Sequence, residues 1–310
     1  MKIGYYPGCS LHGTARELDE SLRAVAPPLD LELVEVNDWS CCGATSAHAT
    51  SHLLSVALPA RNLALAAEQG HDRLLAPCAA CYNRLASARH AVASDEALAA
   101  RLPEVLGRPF PAGVTPLNLV EVLRGRLDLL RQKATRPLTG LKVACYYGCL
   151  LVRPSEVCTF DDPESPVSME EVVAATGATA VSWSRRLDCC GGAFSVARTG
   201  SVVRLSREIL NDARAAGADA IAVACPMCHS NLDFRQKALV RRGETELPVL
   251  YLSELVGLAL GLDAAALGLG RHFVETKGFV ERALAPKPAG KPPAPAPKPA
   301  APAAAGKEAV

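Results

Sequence analysis

Ten of the twelve cysteines fall into two matched sets, and sets of thiolates bind metal. The first is Cys9, Cys41, Cys42, Cys78 and Cys81, with 31 and 35 residues between its blocks. The second is Cys149, Cys189, Cys190, Cys225 and Cys228, with 39 and 34 between. Each set is one cysteine, then an adjacent pair, then C-x-x-C. The pairs run into glycine, as Cys41-Cys42-Gly43 and Cys189-Cys190-Gly191-Gly192. Glycine lets a backbone approach an inorganic centre where a Cβ would collide. Side chains of adjacent residues diverge in an extended backbone, so each pair is best used if it serves two metal atoms.

Three chemistries compete for five thiols. A zinc site takes four thiolates in a tetrahedron and leaves one over in each set. A disulfide relay needs no set of five and suits few proteins of a reducing compartment. An iron–sulfur cluster can be held by thiolates alone, and a large or distorted one has room for a fifth. Five per set, twice, favours iron–sulfur, with zinc as the competing metal.

Positioning these residues takes a chain of 310, enough for two domains, and 49% hydrophobic residues can build their cores. The formal charge of +1 gives no reason to expect nucleic acid or a membrane surface as partner. Met1-Lys2 leads directly into Ile3-Gly4-Tyr5-Tyr6 with no apolar signal region, so a cytoplasmic protein is expected. The most apolar late stretch, Leu247 to Gly270, is interrupted by Glu254 and Asp263 and reads as core strand plus helix, not as a membrane span.

Strands are expected over Lys2–Tyr6, Leu31–Val36, Arg73–Ala76, Leu141–Tyr147, Thr179–Trp183 and Ala220–Ala224, each delivering cysteines at its C-terminal end. Helices are expected over Thr14–Ala26, Ser46–Glu68 with a break at Pro59, from Cys78 to about His90, over Val202–Ala216, and from Cys225 onward. Residues 94–111 read as a weaker helical excursion, and Leu117–Leu130 as a strand-to-helix unit. Ser168-Met169-Glu170-Glu171 matches a capping box for a helix ending near Thr176.

The two halves lie over one another at four landmarks. Tyr5-Tyr6-Pro7-Gly8-Cys9 matches Tyr146-Tyr147-Gly148-Cys149; the cysteine pairs match; Leu74–Cys81 matches Ala222–Cys228; and Leu117–Glu121 matches Leu250–Glu254. Strands alternating with helices predict an α/β fold of two duplicated domains, each a small, mostly parallel sheet flanked by helices. Ligands gather at the carboxyl ends of such strands. Domains are expected over residues 1–134 and 135–285, related by a pseudo-twofold axis. Residues 286–310 hold 8 Pro, 9 Ala and 4 Lys and are expected to be a disordered tail.

The residues also resemble a known family. Each half is similar to a CCG cysteine-rich domain, and residues 1 to about 260 resemble the HdrB component of heterodisulfide reductase. The resemblance rests on Tyr5-Tyr6-Pro7-Gly8-Cys9-Ser10-Leu11-His12-Gly13, Cys41-Cys42-Gly43-Ala44-Thr45, Arg153-Pro154-Ser155, Phe160-Asp161-Asp162-Pro163-Glu164 and Cys189-Cys190-Gly191-Gly192. It implies an oxidoreductase acting on sulfur groups, of the CoB-CoM heterodisulfide reductase kind. It also implies two non-cubane [4Fe–4S] clusters, each held by one set of five cysteines, with a small disulfide or thiol substrate between them. The partners implied are a ferredoxin-like iron–sulfur subunit and a flavoprotein. CCG domains also occur in iron–sulfur electron-transfer subunits of lactate, glycolate and glycerol-3-phosphate dehydrogenase complexes, which is the alternative. A zinc-stapled interaction module is a third reading. The chain has neither a C-x-x-C-x-x-C-x-x-x-C-P run nor a G-x-G-x-x-G after a strand, so its electrons must come from another subunit.

Cys145 and Cys158 stand outside the repeat and are expected to be structural. His12, His48 and His229 lie near cysteines and are candidate proton donors, with hydrogen bonding around the site as the plainer role. Arg153, Arg185, Arg186 and Lys142 are candidate partners for anionic substrate groups, with ion pairing as the plainer role. Trp39 and Trp183 are expected to pack over the cysteine-pair loops.

Overall fold

The computed structural model describes residues 1–44, 46–110, 113–239 and 245–285, so the tail expected over 286–310 lies outside the described residues. The first half runs β1 (Lys2–Tyr5), α1 (Arg16–Val25), β2 (Glu32–Glu35), α2 (His52–Glu68), β3 (Arg73–Leu75), α3 (Ala79–Ser94), β4 (Thr115–Leu117) and α4 (Leu119–Arg124). The second repeats the programme with β5 (Lys142–Tyr146), α5 (Ser168–Ala175), β6 (Thr179–Ala180), α6 (Thr199–Ala215), β7 (Ala220–Val223), α7 (Pro226–Asp233), β8 (Val249–Tyr251) and α8 (Leu252–Ala259). A last helix, α9 (Lys277–Leu284), follows.

Two four-stranded sheets result, ordered β2-β1-β3-β4 and β6-β5-β7-β8, with every neighbouring pair parallel. Strands β7 and β8 are buried at every residue, as expected of short apolar runs covered by helices on both faces. In each sheet the winding direction reverses beside the first strand. The crevice beyond the strand ends at such a reversal is where open α/β sheets bind ligands.

Reciprocal packing joins the halves. Helix α1 packs against α8, and α4 packs against α5. Because α1 corresponds to α5 and α4 to α8 in the repeat, each half offers the same two helices to the other. That is the signature of a twofold relation. One hydrophobic core runs through both halves, from Ile3 and Leu18 to Val223 and Leu255. Across the join, Ser21 and Ser253 share a buried hydroxyl hydrogen bond of 2.7 Å, and Arg124 grips Glu171 with two bonds of 2.6 and 3.2 Å.

Two local expectations are corrected. Pro59 does not break its helix: α2 runs through it, and the interruption falls at Ser51. Ser51 is extended (φ −158°, ψ 132°), and its hydroxyl caps the new helix by accepting from Leu54 N–H, so a capping residue outcompetes the proline as the boundary. Nor does the sequence from Ser168 form a capping box. Ser168 is the first helical residue, and its buried hydroxyl has no partner. The first N–H groups of α5 are instead capped from a distance. The Asp161 carboxylate accepts from Val167 and Ser168 at 2.9 and 2.8 Å, and the Tyr147 hydroxyl accepts from Met169 at 2.8 Å.

Candidate metal centre

The cysteines occupy the C-terminal ends of the strands. Cys9 follows β1, Cys41 and Cys42 follow β2, and Cys78 follows β3; Cys149, Cys189, Cys190 and Cys225 follow β5, β6 and β7 in the same order. Cys78 and Cys225 are the N-caps of α3 and α7, with Pro226 at the first turn of α7. Cys81 and Cys228 then lie in the first turn, where the helix dipole favours a thiolate.

All twelve cysteines are free thiols. The sulfurs of Cys42 and Cys81 stand 3.4 Å apart, those of Cys190 and Cys228 3.6 Å, and those of Cys149 and Cys189 4.0 Å. These are far beyond a disulfide bond of about 2.05 Å. They are close to the separation of about 3.8 Å between two thiolates bonded to one tetrahedral metal at about 2.3 Å. Cys41 is also raised by Cys9, and within each C-x-x-C the second cysteine lowers the first, Cys81 acting on Cys78 and Cys228 on Cys225. Cys78 and Cys225 also act on one another across the join, which raises Cys78 and lowers Cys225. Each five-thiol group therefore points its C-x-x-C inward. Cys9, Cys41 and Cys189 are exposed and Cys149 half-buried at the outer ends, while the other six are buried.

Paired thiols are shifted in opposite directions. The hydrogen bond with Cys81 brings Cys42 down to about 7, against the opposing effect of burial and with help from the Ala44 N–H and the Arg84 guanidinium. Hydrogen bonding from Cys149 brings Cys189 down to about 6, and Cys228 lowers Cys190 in the same way. Cys81, Cys149 and Cys228 are pushed up, first by those same pairings; Cys78 and Cys225 add to Cys81 and Cys228, and burial acts on all three.

Backbone and tyrosine groups shape each cradle identically. Gly43 N–H donates to the Cys41 sulfur at 3.4 Å, and Gly191 N–H to the Cys189 sulfur at 3.3 Å. Tyr6 donates its hydroxyl to the carbonyl of Ser40, the residue before the first cysteine pair; Tyr146 does the same to Asp188 before the second. Asn62 additionally clamps Ser40 in the first half through its N–H and carbonyl, each at 2.9 Å. In the second, Asn231 bonds the carbonyls of Cys190 and Gly192. The tyrosines stood in the aligned repeat as landmarks; the asparagines carry no spacing signal and emerge only from the fold. Five converging thiols with donors to sulfur fit an iron–sulfur cluster or a thiolate-bound zinc ion.

The remaining candidates take structural positions. Cys145 is buried inside β5, where desolvation pushes its thiol up. Cys158 is buried, accepts from Asn83 at 3.4 Å, and is held up at about 11 by burial. His12 pairs with Glu35 at 3.3 Å and packs on the Trp39 ring. The His48 side chain lies outside the described residues. His229 is buried, stacked on Tyr251, and kept neutral by desolvation. Trp39 packs edge-on against Tyr6, and Trp183 packs at a tilt against Tyr146. Arg153 pairs with Glu164, Arg185 with Asp188 and Glu208, and Arg186 with Glu170. Lys142 begins β5, at the end of the sheet away from the cysteines. A cleft of about 590 Å³ opens beside Cys149, lined by Arg153, Ser155 and Glu164 among others.

A family model for the CCG cysteine-rich domain matches this chain twice, over residues 3–86 and 143–233. The chain is 34% identical over 279 residues to the 8-methylmenaquinol:fumarate reductase membrane anchor subunit of Wolinella succinogenes, covering 88% of this chain and 97% of that one. It is 30% identical over 292 residues to the HdrB component of the ferredoxin:CoB-CoM heterodisulfide reductase of Methanosarcina mazei, covering 91% and 96%. The crystal structure of a hypothetical protein from Helicobacter pylori matches with a TM-score of 0.72 at 14% identity, over 88% of this chain, and this chain spans 52% of that one. That last likeness is one of fold.

Proposed function

Because the chain belongs to the CCG cysteine-rich domain family and carries the domain twice, we propose that it is the catalytic iron–sulfur subunit of a heterodisulfide-reductase-like complex, cleaving or forming a disulfide. Cys9, Cys41, Cys42, Cys78 and Cys81 would hold one non-cubane [4Fe–4S] cluster, and Cys149, Cys189, Cys190, Cys225 and Cys228 the other. When bound, the clusters supply the two electrons that turn a disulfide and two protons into two thiols. One observation carries the reading: two five-thiol cradles of the same build meet at Cys78 and Cys225. Splitting one disulfide releases two sulfurs and calls for two acceptors.

The chain's own residues support this chemistry in definite ways. The exposed Cys9, Cys41 and Cys189 are the side a small substrate can reach. The tyrosine-held carbonyls keep the cysteine pairs rigid, and the buried C-x-x-C segments exclude water. Electrons would arrive from a ferredoxin-like iron–sulfur subunit, itself served by a flavoprotein. The domain division proposed is 1–134 and 135–285. Among the described residues, no helix is long and apolar enough to cross a membrane.

The Wolinella relative, named for quinol and fumarate, favours a second reading: an electron relay in a quinol-linked complex without disulfide chemistry. Metal analysis of the purified chain tests both against the zinc module. About eight irons per chain agree with two [4Fe–4S] clusters; two zincs and no iron overturn them. EPR then separates the two. A cluster signal altered by disulfides or thiols supports disulfide chemistry, and a signal indifferent to them but reduced by a quinol supports the relay.

A further inference from the structure

Beside the second C-x-x-C the chain buries a cluster of titratable side chains that its first half does not repeat. Aligned on the second cysteine of each C-x-x-C, His229 and Asp233 of α7 correspond to Tyr82 and Ala86 of α3. Residues four apart share one face of a helix, so His229 and Asp233 are presented together. His272 meets them from the segment between α8 and α9, beyond the last landmark of the repeat. All three are withdrawn from solvent: His229 is 5% exposed, Asp233 1% and the His272 side chain 1%.

Their donor atoms converge. His229 Nε2 lies 3.3 Å from His272 Nδ1, and one atom from each of the three side chains falls within 4.8 Å of the others. Two imidazole nitrogens bonded to one tetrahedral ion at about 2.0–2.1 Å stand about 3.3 Å apart. The Val249 carbonyl also faces His229 Nε2, at 3.1 Å. A single hydrogen on that nitrogen would be shared between two acceptors, whereas a cation takes a lone pair from each of the three atoms. The surroundings hold these groups as metal ligands are held. His272 Nε2 bonds the buried Glu254 carboxylate at 2.8 Å, which turns Nδ1 to the cluster and makes the carboxylate–histidine pair that orients metal-bound imidazoles. Asp233 accepts from the N–H groups of Phe273 and Val274 at 2.7 and 3.1 Å. A divalent ion would balance the carboxylates of Asp233 and Glu254, which are costly to bury unpaired. A cleft of about 690 Å³, lined in part by His272, Phe273 and Thr276, gives a way in.

We propose that His229 Nε2, His272 Nδ1 and an Asp233 carboxylate oxygen bind a divalent metal ion, zinc by the donor set, with the Val249 carbonyl beside them. This site shares no ligand with either set of cysteines. The ion ties the segment before α9 to α7, the helix that opens at Cys225 and Cys228. Where no ion is bound, a proton on His272 beside Glu254 takes its place. The inference does not depend on which metal the cysteines hold.

The test counts zinc and iron on the full chain after incubation with Zn²⁺ and gel filtration. The wild type should hold one zinc beyond the metal of the cysteines. That is one zinc beside about eight irons, or about three zincs if the cysteines take zinc. Three zincs would therefore sink the iron–sulfur reading and leave this inference standing. Asp233→Asn and His272→Gln should each lose the one extra zinc with the cysteine-bound metal unchanged. Glu254→Gln, which removes only the support of His272, should weaken zinc binding about 10–100-fold. No zinc beside the irons, two zincs without iron, or a wild-type zinc count in both ligand variants overturns the inference. A second measurement needs no variant. Zinc X-ray absorption of the wild type should contain nitrogen and oxygen neighbours at about 2.0–2.1 Å, and a spectrum of sulfur neighbours alone, at about 2.3 Å, is equally fatal.

Discussion

A Cβ built on Gly8 would stand 3.0 Å from the sulfur of Cys81, and one on Gly148 would stand 3.1 Å from the sulfur of Cys228. Both glycines hold positive φ, 66° and 63°. The first cysteine of each set is thus brought against its C-x-x-C by a left-handed residue with no side chain. Either glycine replaced by alanine meets backbone strain on the order of 1–3 kcal/mol, besides the contact with sulfur. Gly8→Ala and Gly148→Ala should each lower the thermal midpoint and cut bound iron by about half, since each distorts one of two cradles. Thermal denaturation and iron analysis check this; full metal content in both variants would sink it.

Tyr6 and Tyr146 hold the turns that present the cysteine pairs, through the carbonyls of Ser40 and Asp188. Phenylalanine keeps the ring and removes the hydroxyl. Tyr6→Phe and Tyr146→Phe should each cost about 0.5–1.5 kcal/mol, the net worth of one hydrogen bond. Urea denaturation measures the cost. Asn62 backs up Ser40 with two further bonds, so the Tyr146 variant should be the more sensitive in metal retention. The reverse order would contradict the role assigned to Asn62.

Helix α5 separates two kinds of cap. Asp161 accepts from two of its first N–H groups, whereas the Ser168 hydroxyl has no partner. Asp161→Ala should therefore destabilise by about 1 kcal/mol, in the range of lost helix caps. Ser168→Ala should be close to neutral. Paired denaturation curves decide between them, and equal losses would restore the local capping box.

The segment leading to α9 is tied down by His272, which pairs with Glu254 at 2.8 Å while both are buried. Burial opposes the charged imidazole, but the Glu254 carboxylate more than overcomes it and carries His272 from 6.5 to about 9. The group is raised in the folded state. Its stabilisation is complete below about pH 6.5 and fades as pH rises through about 9, amounting to at most about 3 kcal/mol. Stability should fall between pH 7 and 10 in the wild type and fall less in His272→Gln. Denaturation midpoints across that range provide the check, and parallel slopes in the two proteins would refute the assignment.

Which elements form, and in what order, was readable from residue order, because hydrophobic period, proline, glycine and cysteine spacing are local signals. Both sets of five cysteines and the duplication were visible in the same way, since a repeat needs only comparison of the chain with itself. Tertiary structure alone decided what lies between those signals. It set the meeting of Cys78 with Cys225, which are far apart in the chain and follow strands of different sheets. It neutralised Arg153, Arg185 and Arg186 with carboxylates. It also overrode two local rules, extending α2 through Pro59 and capping α5 from Asp161. The reason is common to all of these. Spacing along the chain fixes what one helix or strand can present, but which charge meets which sulfur, and which donor finds an acceptor, depends on how separate elements pack and how much water they exclude.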